Sequence, residues 1–414
     1  MTRRFYGWWN VLACFVGLSL NYPMFTTFIF GTFLPALQAE FGWQRGPMSL
    51  ALTLANLAAI VTAPLIGLLV DRVGVRRVVV FSIVLMGLSV ASLSLIDGSV
   101  RHFQLTYLLI ALLGAGTVPL TYSRVIVAWF FRKRGLALGI ALCGFGVGTA
   151  VVPALGQIFI DAWGWRIAYL CFALMILGIS LPVTYFLLRD TPADLNQSID
   201  GLSQGEQISA EADADATGLN GREAIRTPTY WVILVSFALA GVVMTGVLGH
   251  LVPLLIDRGI DASVAARCMS LLGLGLICGR LLSGYLMDRF FAPYITAVFL
   301  SLLIIGLAIL ASGAVGPVVL LAAVLIGLAI GSEISEIAYI VSRYFGQRSF
   351  GAIYGVMFAG FQVGSAAGVL YLGNFHDNNG SYDGALTVLL GLATVATVLM
   401  LLLRPYPKLT ATPN

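Results

Sequence analysis

The chain has 414 residues, 59% of them hydrophobic and 10% charged, with mean hydropathy +0.95. A soluble domain carries about 25% charged residues, so a soluble globular protein is excluded, and twelve apolar runs long enough to span a bilayer take its place. Ten-residue alternating segments do not occur, which excludes a barrel, and the formal charge of +4 follows from the loops, so nucleic acid is not an expected partner.

The first run, at about 8–36, follows the basic start MTRRFYGWWN. It is too long for a signal h-region and no small-residue cleavage site follows, so it is expected to insert and stay. The second and third runs, 46–70 and 75–96, are joined by GLLVDRVGVRR. There Asp71 ends a helix beside Arg72, Arg76 and Arg77. A carboxylate in that place can accept hydrogen bonds from the N-terminus of a neighbouring helix. Such a cluster suits a gate that latches one state; more plainly, it is a basic loop that sets topology. The fourth run, 104–131, carries Arg124 eight residues before Arg132. That is about 12 Å by helix rise, close to the midplane of a hydrocarbon layer about 30 Å thick. The fifth and sixth runs lie at 135–159 and 166–188.

A polar stretch, 190–229, separates these from the rest. It holds eight of the 19 acidic residues and few aromatics, which reads as a solvated linker. The seventh run, 230–256, ends near His250 and Asp257. His250 is a candidate proton relay. The eighth, 264–287, contains Arg280 eight residues before Asp288 and Arg289, again near the midplane. The ninth is 293–313. The tenth, 315–342, carries Glu333 and Glu336 three residues apart on one face, with Tyr339 and Arg343 continuing down it. The eleventh and twelfth are 350–373 and 382–403. Charged groups inside such helices are costly and face a protein interior or a wet cavity.

With both termini in the cytoplasm, 16 Lys/Arg fall in inner segments and 5 in outer loops; Arg124 and Arg280 remain in the membrane. This bias supports that orientation. The five cysteines have no metal-ligand spacing and read as packing residues. The only lysines, Lys133 and Lys408, lie outside any Walker loop, which excludes an ATP-driven pump. His102, His250 and His376 are scattered with no H-E-x-x-H, so no enzyme, metal site or cofactor is expected.

The two halves repeat. GLLVDR at 67–72 returns as GYLMDR at 284–289, an offset of 217. Gly135, Gly139, Gly144 and Gly148 return as Gly351, Gly355, Gly360 and Gly364, all at offset 216. Parallel six-helix repeats are a transporter design, and such glycines let helix backbones approach closely.

Here the residues resemble a family. Gly67, Leu69, Asp71, Arg72, Gly74, Arg76 and Arg77 fit the G-x-L-x-D-R-x-G-x-R-R loop of the major facilitator superfamily. FYGWWN at 5–10 and WFFRKRGLALGIALCGFGVG at 129–148 resemble its bacterial monocarboxylate and oxalate/formate porters. The resemblance implies an all-α membrane protein of twelve transmembrane helices in two pseudo-symmetric halves, 1–189 and 230–414. It further implies a multi-pass monomer in the lipid bilayer of the bacterial inner membrane.

In that fold, helices one, four, seven and ten line a central cavity and helix eight borders it. The resemblance therefore places Arg124, Arg280, Glu333 and Glu336 around one space. Two arginines and two ionised glutamates sum to zero; one proton makes the set ready for a monoanion. Arg280 is expected on the substrate carboxylate, where a bidentate fork suits that group; a structural ion pair is the alternative. Arg124 divides between substrate contact and ion pair. Tyr22, Tyr122 and Tyr339, with Phe25, Phe28, Phe358 and Phe361, would suit an apolar substrate body, or serve packing alone. Glu336, Glu333, His250 and Asp257 are candidates for proton coupling, and Asp71, Arg72, Arg76, Arg77, Asp288 and Arg289 for gating. The chain departs from the animal porters at Leu276, where they carry an acid, and from the oxalate/formate branch in having Gln362 but no lysine in the eleventh run. The expected activity is proton-coupled symport of a small organic anion, a monocarboxylate, by alternating access. Anion exchange, proton-driven efflux and a non-transporting sensor stand as alternatives.

Overall fold

A computed structural model describes residues 5–201 and 218–407. Arg3, Arg4 and Lys408 of the charge pattern, and Glu206, Glu211, Asp213 and Asp215 of the acidic stretch, lie outside the described residues. Of these residues, 5–131 with 140–201 form one compact unit and 132–139 with 218–407 the other. Apart from an isolated bridge between Gly218 and Gly346, the described residues are helices and their connections.

The first unit contains α1 (Gly7–Ser19), α2 (Phe30–Phe41), α3 (Arg45–Val73), α4 (Val75–Ser92), α5 (Val100–Leu113), α6 (Pro119–Trp129), most of α7 (Arg134–Met175) and α8 (Leu181–Leu187). Among the described residues, eleven helical stretches are long and apolar enough to span a membrane. The twelve expected runs fit them because one stretch, Arg134–Leu187, holds two. Gly164, at φ 80° and ψ 164°, breaks α7 between those two. Only glycine adopts that backbone without strain.

The first run is not one continuous helix. α1 stops at Ser19, Asn21 is non-helical, and a π-helical turn at Met24–Phe28 precedes α2. The N-Y-P triplet at 21–23 carries the local signal, since proline removes a backbone donor from the ladder. At the far end of this unit, Glu40 of α2 accepts from Trp165 Nε1 at 2.6 Å and pairs with Arg166.

The second unit adds α9 (Gly221–Ile225), α10 (Pro228–Asp257), α11 (Ala262–Met287), α12 (Ala292–Ala311), α13 (Val318–Tyr344), α14 (Phe350–Asn379) and α15 (Asp383–Leu401). α11 lies along α13, and α10 along α14. Both pairs are close because their contact stripes are glycine. A Cβ on Gly279 would overlap the Leu328 carbonyl, and one on Gly364 the Ala238 carbonyl. Two of the four repeated glycine pairs do equivalent work in each unit. Gly144 and Gly148 meet Phe15 and Ser19 of α1, while Gly360 and Gly364 meet Leu234 and Ala238 of α10. Large apolar side chains such as Phe81, Leu174 and Leu370 are exposed, as lipid-facing surfaces require.

Candidate functional site

Arg280 is set by the tight pairing of α11 with α13. Gly275, Gly279, Gly327 and Gly331 bring the two backbones into contact. Arg280 is 2% exposed, and its Nε donates to the Gly331 carbonyl at 3.2 Å. That bond fixes the plane of the guanidinium, because Nε sits at the base of the fork.

Two residues beyond Gly331, Glu333 is also 2% exposed, as is Glu336. The Oε1 atom of each is buried without a hydrogen-bond partner. The Ser332 and Thr296 hydroxyls lie next to Glu336, and Thr296 belongs to α12, so Glu336 turns into the second unit. Among the described residues, no ion pair within 4.0 Å involves either glutamate. The second unit thus buries Arg280 on α11 and Glu333 and Glu336 on α13.

The other expected members make contacts of their own. Arg124 pairs with Asp71 inside the first unit, Nε to Oδ1 3.6 Å. Its long side chain carries the charge to Asp71, near the end of α3. Tyr122 is wholly buried within the first unit, and its hydroxyl fills the space a Cβ on Gly17 would need. Tyr22 is buried too, its backbone N–H donating to Thr117 Oγ1 at 3.1 Å. Tyr339 donates to the Met287 carbonyl at 2.8 Å, at the end of α11. These four occupy packing or helix-end positions.

His250 and Asp257, at the far end of α10, are linked through Tyr382 and His376. His250 Nδ1 is 3.1 Å from the Tyr382 hydroxyl and Nε2 is 3.1 Å from the Val369 carbonyl. Asp257 is 3.1 Å from His376 Nε2, and the His376 ring stacks on Tyr382 at 4.5 Å. Arg258 pairs with Asp383 at 2.6 Å. His376, Tyr382 and Asp383 carried no sequence signal; only folding brings three distant segments together.

The gating candidates divide in two. Asp288 Oδ1 and Oδ2 accept from the N–H groups of Gly135 (2.6 Å) and Leu136 (3.0 Å), at the start of α7. A carboxylate across the first turn of a helix is the favourable arrangement for its dipole. Arg289 lies over the Tyr285 ring at 4.3 Å. In the first unit, Arg76 donates from its backbone to Asp190 Oδ1 (2.7 Å) and from its guanidinium to the Tyr185 carbonyl (2.7 Å). Burial pushes the Asp190 carboxyl above the usual aspartate range. Arg72 and Arg77 are exposed.

One polar group was not anticipated. Both Nδ2 and Oδ1 of Asn21 are fully buried without a partner, in the interruption after α1. A buried amide left this way costs about 1–3 kcal/mol, and π-turns such as the one that follows are frequent at functional sites. Among the described residues no group of three His, Cys, Asp or Glu side chains could hold a metal.

Comparison with known proteins gives a consistent picture. Residues 16–369 match the Major Facilitator Superfamily. The chain is 23% identical over 350 residues to the uncharacterized MFS-type transporter YhjX of Escherichia coli, covering 83% of each protein. It is 27% identical over 394 residues to mouse monocarboxylate transporter 11, covering 92% of this chain and 84% of that one. Among solved structures, the human organic anion transporter MFSD10 superposes with TM-score 0.72 at 16% identity, over 95% of this chain and 99% of the other. The E. coli fucose:proton symporter gives 0.70 at 15% identity, over 95% and 97%.

Proposed function

The chain belongs to the Major Facilitator Superfamily, and from that premise we propose that it is a proton-coupled symporter of a small organic monocarboxylate. It is a multi-pass membrane transporter and not an enzyme. The observation that supports the finer reading is the burial of one arginine, Arg280, and two glutamates, Glu333 and Glu336, in the second unit. With one glutamate charged, this set is neutral. With both protonated it carries one positive charge, and the guanidinium fork can receive a carboxylate. Proton uptake and anion binding are then linked by charge balance alone. The name of the similar mouse protein, a monocarboxylate transporter, points the same way.

Alternating access needs contacts that hold one state and release in the other. Asp288 on the Gly135 and Leu136 N–H groups, and Asp71 on Arg124, are suited to that part.

The test is uptake of labelled acetate, lactate, pyruvate and benzoate into proteoliposomes carrying an internal pH dye. An inward proton gradient is expected to drive accumulation, with acidification of the lumen. Uptake that ignores the gradient but accelerates when anion is preloaded inside would overturn symport in favour of exchange. Binding without movement would make the protein a sensor.

A further inference from the structure

The start of α4 and the end of α8 enclose a cavity of about 450 Å³, lined by Val73, Arg76, Arg77, Arg189, Asp190 and Asp194. All six residues belong to the first unit. We propose that this cavity holds the phosphate headgroup of an anionic phospholipid.

Its acids are already engaged. Asp190 accepts the Arg76 N–H at 2.7 Å, and Asp194 accepts the N–H and hydroxyl of Thr191 at 3.1 and 2.9 Å. Its bases are not all engaged. The Arg76 Nε is buried without an acceptor. The Arg77 guanidinium has no hydrogen bond or ion pair among the described residues. Arg189 spends Nη1 on the Leu188 carbonyl at 3.0 Å. Three guanidinium groups face two carboxylates, so the wall is net positive and rich in unused donors. A phosphodiester supplies acceptor oxygens and one negative charge, and arginine favours such oxygens.

A lipid, rather than a free phosphate, is indicated by what adjoins the cavity. Phe81 is one helical turn from Arg77 on the same face of α4, and is 67% exposed. Tyr185 and Phe186 of α8 are 50% and 65% exposed. The basic cavity therefore opens beside apolar surface at the end of two membrane-spanning stretches. A headgroup can sit in it while its acyl chains run along that surface. The net positive wall selects phosphatidylglycerol over zwitterionic lipids, and this site is independent of the transported substrate.

Native mass spectrometry of the full chain, in nonionic detergent with equal phosphatidylglycerol, phosphatidylethanolamine and phosphatidylcholine, tests this. Phosphatidylglycerol adducts should exceed the other two by roughly fivefold, about what one surface arginine contributes. The preference should vanish in Arg77→Gln/Arg189→Gln and survive in Arg101→Gln. Arg77→Gln alone should at least halve it, and it disturbs no bond if the double variant fails to fold. Equal retention of the three lipids, or a preference that survives both pocket variants, would overturn the proposal. Displacement by millimolar inorganic phosphate would overturn it too, and assign the cavity to a free anion.

Discussion

A guanidinium in the middle of an apolar helix needs neighbours, and Arg280 obtains them from a glycine-lined contact that leaves the Gly331 carbonyl within reach. Its distance from the end of α11 was legible in the sequence, because spacing along a helix is a distance. Its company was only partly so. Periodicity says which residues share a face, but not which neighbouring helix that face meets, and long arginine side chains such as Arg124 carry their charge away from their Cα. Arg280→Lys keeps the charge but loses the fork. If the fork holds the carboxylate, initial uptake rates should fall about ten- to a hundredfold, the equivalent of a charged hydrogen bond; unchanged rates at equal membrane abundance would return Arg280 to a structural role. Asn21 escaped notice because a lone amide in an apolar run has no pattern. Asn21→Leu removes an unsatisfied amide, so thermal unfolding in detergent should shift upward by about 1 kcal/mol of stability while transport falls. A destabilised but fully active variant would count against a role in the site. For Asp190 the sign follows from burial. The folded chain holds the proton more tightly than the unfolded chain, so stability from this group is full at low pH. It declines as pH rises through about 4 and on through the elevated folded value. Asp190→Asn keeps the acceptor for Arg76 and removes the titration. The melting temperature of the variant should therefore fall less than that of the wild type between pH 4 and 7.

At the level of helices, number and span were readable from hydropathy, while interruptions were not. Gly164 looks like any other membrane glycine until its φ of 80° separates two runs. The break after α1 is marked only by the short N-Y-P triplet, in a sequence that stays apolar on both sides. Glycine spacing, by contrast, was informative, because close approach can be achieved only where a side chain is absent. Two substitutions separate packing glycines from idle ones. Gly364→Ala places a methyl on the Ala238 carbonyl and should cost about 1–3 kcal/mol, with transport lost in parallel. Gly273, inside α11, has nothing within 4 Å of its missing Cβ. Gly273→Ala should be neutral or stabilising by roughly 0.5–1 kcal/mol. Thermal unfolding of the two purified variants decides it, and equal losses would show that the close contact at Gly364 is not what matters.

For the whole molecule, the charge bias of the loops predicts both termini in the cytoplasm. A cysteine at the exposed Ala193, in a chain stripped of its native cysteines, should react with an impermeant maleimide only after cells are permeabilised. Labelling of intact cells would invert the orientation. The duplication was legible from identical residues, but identity undercounts it. Glu40 with Arg166 in the first unit and Arg258 with Asp383 in the second are the same pair with the signs exchanged, 218 and 217 residues apart. A search for matching letters passes over them. The exchange also bears on synthesis, when runs enter the membrane one after another. Asp383 arrives last, when residues at equivalent positions, Glu40 and Arg258, are already made. Glu40 would repel it where Arg258 attracts it, so the exchanged signs favour pairing within each half over pairing across them.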